Sequence, residues 1–155
     1  GLDFMNSNAE EQAQQKIVLG KFIELSEKIG KPMIIHSRKA EKEAVEMLES
    51  SRVKKAVLHC FCGKKSLVNS AIDLGLYFSI PANIERAENF QANVCRIDIS
   101  RLLTETDSPL LSPVRGERNE PANVLVTVKK IAELKKMDAE ETANNIFFNY
   151  QRLFM

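Results

Sequence analysis

Short apolar runs alternate along this chain with longer stretches in which apolar residues recur every three or four positions. Val18, Phe22, Leu25 and Ile29 are spaced 4, 3 and 4 apart, which predicts a helix with one apolar stripe against a core. Gly30 closes that helix and Pro32 keeps it from resuming. Pro32 to His36 then reads as a buried strand. Ala40, Ala44, Met47 and Leu48 mark a second helix, and Ala56 to His59 a second strand. Leu67, Ala71 and Leu74, closed by Gly75, give a third helix, followed by a strand from Leu76 to Ile80. The stretch from Ile84 to Val94 is a weaker helix with an incomplete apolar face. Arg101 to Asp107 is a fourth strand, and Pro109 and Pro113 place a loop after it. Pro121 suits a first helical position, ahead of a stripe of Val124, Val128 and Ile131. Asp138 and Glu141 form the frame of a capping box, with Asp in the Ser/Thr place, for a last helix through Ala143, Ile146, Phe147 and Tyr150.

Nearly continuous apolar strands alternating with helices indicate an α/β fold with parallel strands and covering helices. A doubly wound sheet and a slice of a (β/α) barrel both satisfy the pattern. No G-x-G-x-x-G or G-x-x-x-x-G-K-S/T follows a strand, which removes support from the nucleotide-binding folds. With no composition shift or low-complexity segment, residues 1–155 read as a single domain.

Composition narrows the functions. With 44% hydrophobic and 28% charged residues the chain has the make-up of a globular protein rather than a disordered one. No apolar run approaches the roughly 20 residues of a membrane span, and the first residues carry no basic-then-apolar signal, so a cytoplasmic location is expected and no membrane partner. A net charge of +1 excludes a bulk basic footprint for nucleic acid, though not a local one. Cys60, Cys62 and Cys95 are odd in number and form no C-x-x-C pair, which suits a reducing compartment.

The candidate chemistry sits at strand ends. The only two histidines, His36 and His59, each close an apolar strand, and Asp107 closes another with Glu105 two residues before it. The C-terminal ends of parallel strands are where α/β folds place their sites. Two imidazoles and a carboxylate there suit a divalent ion. Hydrogen-bonded structural histidines, and an Asp that caps the turn before Pro109, are the competing readings. Basic residues follow the same strand ends: Arg38 and Lys39, Lys64 and Lys65, Arg115 and Arg118. They suit phosphate oxygens or serve as solvated surface charges. Phe61 could stack on a base or belong to the core.

Four ordered motifs carry a resemblance: His36-Ser37-Arg38, then Leu58-His59-Cys60-Phe61-Cys62-Gly63, then Glu105-Thr106-Asp107-Ser108-Pro109, then Arg118-Asn119-Glu120-Pro121. Together they resemble the TatD family of metal-dependent deoxyribonucleases, in the amidohydrolase-like barrel superfamily. Gly1-Leu2-Asp3-Phe4 also matches that family's strand-end segment. The resemblance implies a hydrolase with His36, His59 and Asp107 as ligands to Zn, Mg or Mn. It makes Asp107 and Glu105 the catalytic carboxylates and Arg38, Lys64 and Arg118 the DNA-binding cations. The implied activity is cleavage of phosphodiesters in the manner of a 3′ exonuclease, and hydrolysis of small esters or amides is the alternative within the superfamily. The family pattern further has a His-x-His and a glutamate that this sequence does not contain. The expected architecture is therefore the C-terminal half of a TIM-like (β/α)8 barrel, whose full form takes roughly 250 residues. On that expectation the chain alone is inactive or nearly so. It would self-associate or bind a complementary N-terminal half, or serve as a non-catalytic module.

Overall fold

Five strands, each paired in parallel, and six α-helices are found among the described residues, 1–53 and 55–155, of the computed structural model. The chain divides into two compact units, Gly1–Tyr77 with Phe154, and Phe78–Leu153 with Met155. No helix of the described residues is long and apolar enough to cross a membrane.

The first unit runs β1 (Leu2–Asp3), α1 (Ala9–Ile29), β2 (Met33–Arg38), α2 (Glu41–Glu49), β3 (Ala56–His59) and α3 (Lys65–Asp73). β2 lies between β1 and β3, with Leu2 opposite Ser37 and His36 directly opposite His59. A capping box starts α1: Glu11 N–H donates to Asn8 Oδ1 at 3.0 Å, and Asn8 N–H donates to Glu11 Oε2 at 2.8 Å. Such a cap contributes about 1 kcal/mol. Gly30 ends the helix at φ 65°, a left-handed conformation that costs glycine nothing.

The stripe on α1 does not face where its spacing suggests. Val18, Phe22, Leu25 and Ile29 are 49%, 54%, 46% and 54% exposed, whereas Leu19, Ile23 and Ser26 are buried. Two adjacent rows on this helix share helical spacing, and periodicity cannot say which one the sheet covers. Ser26 fits the buried row because its hydroxyl donates to the Lys31 carbonyl at 2.6 Å. The expectation of a fully buried β2 is likewise corrected. Its pleat turns Ile35 and Ser37 inward and leaves Ile34 64% exposed on the face that also carries His36 and Arg38.

Phe61 is 2% exposed and belongs to the core, which removes it as a base-stacking platform. Its ring lies so close to Gly63 that a Cβ on that residue would fall 2.4 Å from Phe61 Cε1. Gly63→Ala therefore has to displace a packed aromatic ring. It is expected to cost about 1–3 kcal/mol in urea denaturation.

The second unit contains the end of β4 (Tyr77–Ile80), α4 (Glu88–Arg96), β5 (Leu102–Thr104), α5 (Val124–Lys135) and all but the last residue of α6 (Ala139–Phe154). Phe78 pairs with Leu102 and Ile80 with Thr104, and all four residues of β4 are buried. The helix expected over 84–94 is broken into a 3-10 turn, Ala82–Arg86, and then α4. β5 is shorter than expected: Glu105 N–H still donates to the Ile80 carbonyl at 3.0 Å, but Thr106 and Asp107 lie beyond the strand. Pro121 opens a 3-10 turn that leads into α5, and Asp138 caps α6 through the amides of Glu140 and Glu141. Here too the covered row includes polar residues. Asn149 is buried and its amide donates to the carbonyls of Ile99 and Leu102, while Phe147 and Tyr150 are exposed.

Candidate active site

In the first unit three strand ends gather ionisable side chains. β2 and β3 hold His36 and His59 in register, with ring centroids 6.0 Å apart. At the end of β1, Asp3 pairs through Oδ2 with His36 Nε2 at 3.0 Å and with the Arg38 guanidinium at 2.8 Å. The Arg38 guanidinium above all, helped by the Met5 amide and His36, lowers the Asp3 pKa to about 2. An ionised carboxylate can only accept, so His36 Nε2 carries the proton. An ion taken by that nitrogen has to displace the proton and the contact with Asp3.

The sign of this shift is testable. A depressed carboxyl pKa favours the folded state above the ordinary value of 3.8, and the benefit is lost as pH falls toward about 2. Arg38→Ala is expected to return Asp3 toward its ordinary value in a carboxyl NMR titration. An unchanged midpoint would show that the guanidinium is not the cause. Asp3 was not among the candidates from the strand-end histidines and carboxylates. Its signal was present in Gly1-Leu2-Asp3-Phe4, but so short a strand has no periodicity to reveal it.

Arg38 and Lys64 line one groove of about 790 Å³ with Lys39 and Lys42, and Met5 and Leu67 add apolar wall. Glu41 and Glu43 also border it, so the positive charge is partly offset. Lys39 and Cys60, each just past a strand, adopt left-handed backbone at φ 58° and 48°. Non-glycine residues there cost on the order of 1–3 kcal/mol and collect at functional sites.

In the second unit, Glu105 and Asp107 follow β5. Ser79 Oγ donates to Glu105 Oε1 at 2.6 Å, fixing that carboxylate against β4. Asp107 is left-handed at φ 60°, and its carbonyl accepts from Leu110 N–H at 2.9 Å. The turn is pinned by Asn119, which is 3% exposed. Its Nδ2 donates to the carbonyls of Thr106 and Leu110, both at 2.6 Å, and its Oδ1 accepts from the Glu120 amide and Asn123 Nδ2. Asn119 is thus a positioning residue for the Asp107 turn. It stood inside a quoted motif, but only the tertiary structure reveals what it holds. Arg118, its neighbour, lines a pocket of about 410 Å³ with Ser108, Pro109 and Glu120.

The donor types suit a divalent ion: the first unit carries the ring nitrogens of His36 and His59, and the second carries the carboxylate oxygens of Glu105 and Asp107. Comparisons with known proteins point the same way. The chain is 34% identical to a mouse protein named putative deoxyribonuclease TATDN3, over 99% of this chain and 53% of that protein. It is 32% identical to human deoxyribonuclease TATDN3, over 99% and 57%. It is also 34% identical to the uncharacterized metal-dependent hydrolase YabD of Bacillus subtilis, over 99% and 62%. The chain therefore spans little more than half the length of these relatives. Among solved structures, the TatD homolog YJJV of Escherichia coli superposes with a TM-score of 0.88 at 24% identity, over 99% of this chain and 61% of that one. A TatD family hydrolase from Entamoeba histolytica gives 0.81 at 21% identity, over 100% and 61%. Their likeness establishes a TIM-barrel-like α/β fold. The family model described as "TatD related DNase" matches residues 1–155, and the chain belongs to that family.

Proposed function

We propose that this chain carries the metal-binding and phosphate-binding part of a divalent-metal hydrolase that cleaves phosphodiester bonds in DNA with water as the nucleophile. The observation that carries the reading is the pair His36 and His59, opposite one another at the ends of adjacent parallel strands. His36, His59 and Asp107 would hold the ion, which when bound polarises a phosphoryl oxygen and acidifies water. Asp3 and Ser79 then have positioning roles, the first on the His36 ring and the second on the Glu105 carboxylate. Glu105 and Asp107 would accept the proton of the attacking water. Arg38, Lys64 and Arg118 would hold phosphate oxygens, the first two from the groove described above. The left-handed turns after β2, β3 and β5 support the reading, because the fold holds strained backbone where these side chains emerge.

The architecture we infer is part of a (β/α)8 barrel acting as one hydrolase domain in a reducing, cytoplasmic setting. The ligands named here are enough for one ion but not for a bridged pair. Calorimetric titration with Zn, Mn and Mg, run beside hydrolysis of single- and double-stranded DNA, tests the proposal. Stoichiometric binding of one ion by the native chain, lost in His59→Ala, is the expected result. Any DNA cleavage should depend on that ion and stop with chelator. Native protein that takes up no ion, or cleavage that ignores both chelator and His59→Ala, would sink it.

A further inference from the structure

The segment that follows β5 carries proposed site residues at both ends, Glu105 and Asp107 at its start and Arg118 near its close. Between them Pro109 to Asn119 forms a compact loop whose ends meet, with Asn119 N–H donating to the Pro109 carbonyl at 3.0 Å. Of residues 108–120 only Ser112 and Asn119 are buried. Asn119 closes the neck through the bonds described above. Ser112 is the one inward point of the outer limb, and a residue outside the loop holds it there. Arg86 Nη2 donates to the Ser112 carbonyl at 2.9 Å. Ser112 Oγ in turn accepts from Val114 N–H at 3.2 Å, and Glu117 N–H donates to the Val114 carbonyl at 3.3 Å. A chain of hydrogen bonds thus runs from Arg86 to the residue before Arg118.

The platform under Arg86 is firm. The 3-10 turn Ala82–Arg86 buries Ala82, Asn83 and Ile84 and packs against α4 and α5. Gln91 Nε2 fastens its far side by donating to the carbonyls of Ile84 and Glu85 at 2.8 and 3.0 Å. All of these contacts lie within the second unit.

We infer that Arg86 is a positioning residue whose hold on Ser112 sets where Arg118 presents its guanidinium to phosphate. The inference rests on the reading of Arg118 as a phosphate-binding residue. A bond donated by a guanidinium is charge-assisted and stronger than a neutral one, so one contact can fix the limb. The two clamps act on different parts of the loop. Asn119 holds Thr106 and Leu110 beside Asp107, whereas Arg86 holds the limb beyond the neck. Releasing Arg86 should free that limb and leave the Asp107 turn in place.

The test uses the whole chain and Arg86→Met, which keeps the apolar stem and loses every donor at an exposed position. Amide hydrogen exchange followed by NMR should become about tenfold faster at Val114 and Glu117, the size expected for loss of one charge-assisted bond. Leu110, whose N–H bonds the Asp107 carbonyl, should exchange at its native rate. Arg86→Lys keeps a cationic donor and should restore part of the protection. Anisotropy of a labelled oligothymidylate, read in EDTA to prevent cleavage, should show about tenfold weaker binding to Arg86→Met. Adding Arg86→Met to Arg118→Met should cost nothing further, because the first residue acts through the second. Native exchange rates at Val114 and Glu117 in Arg86→Met overturn the inference. So does a loss of affinity that adds in full to that of Arg118→Met, since Arg86 would then meet phosphate itself. If Arg118→Met binds the oligonucleotide as tightly as the native chain, the phosphate reading of Arg118 fails and the inference with it. The exchange rates need no ligand, so they separate that failure from a failure of the clamp.

Discussion

Asp107→Asn is expected to lower affinity for a divalent ion by about a hundredfold or more, with little loss of folded protein. The side chain keeps its shape and loses the charge that would face the cation. Asparagine also tolerates the left-handed conformation of this position, φ 60°, as well as aspartate does, so the turn should survive. The magnitude follows from a comparison. Removing a group that only orients a ligand typically costs 10- to 100-fold in metal affinity, and removing a charged ligand should cost at least the upper end. Asp3→Asn, which weakens the contacts with His36 and Arg38 and removes no proposed ligand, provides that lower reference within the same protein. Titration calorimetry with far-UV circular dichroism as a fold control reads both variants. If Asp107→Asn binds as tightly as the native chain, Asp107 caps its turn and does not hold the ion.

Asn119→Ala should be the most damaging substitution that touches no proposed ligand. It removes two donated and two accepted hydrogen bonds at a site 3% exposed. The carbonyls of Thr106 and Leu110 lose their side-chain donor, and the Asn119 site itself is buried. Each such loss costs about 1–3 kcal/mol, so about 2–4 kcal/mol is expected once part of the turn relaxes. Urea unfolding gives the stability change. The same variant should bind a divalent ion more weakly, because the Asp107 turn hangs on the Thr106 and Leu110 contacts. Asn119→Asp keeps the acceptor oxygen and loses both donors, so it should fail in the same way. A loss under about 0.5 kcal/mol, the range of ordinary surface changes, would mean that backbone bonds such as Asn119 N–H to the Pro109 carbonyl hold the turn alone.

Much of the fold was legible because its strands are short apolar blocks bounded by turn residues. Ala56 to His59 forms a strand with the expected limits, and Gly30 ends α1 as expected. The weaker signals failed where local patterns were ambiguous. Ile84 to Val94 held too few apolar residues for one helix, and a 3-10 turn interrupts it. Asp107 followed an apolar run closely enough to count as its end, although pairing with β4 stops earlier and the chain turns. The positions of His36 and His59 at strand ends could be read directly. The contact of Asp3 with His36 could not, since it joins residues 33 apart in the chain.

Residue order by itself determined where strands and helices fall and which ionisable groups follow each strand. These depend on local apolar spacing and on backbone limits imposed by glycine and proline. Only the tertiary structure decided which row of α1 is buried, that Phe61 is core, and that Asn119 ties the Asp107 turn. Those outcomes depend on which surface another element covers and which distant carbonyl a buried amide can reach. Helical spacing is the same for a row that meets a sheet and for a row that meets solvent.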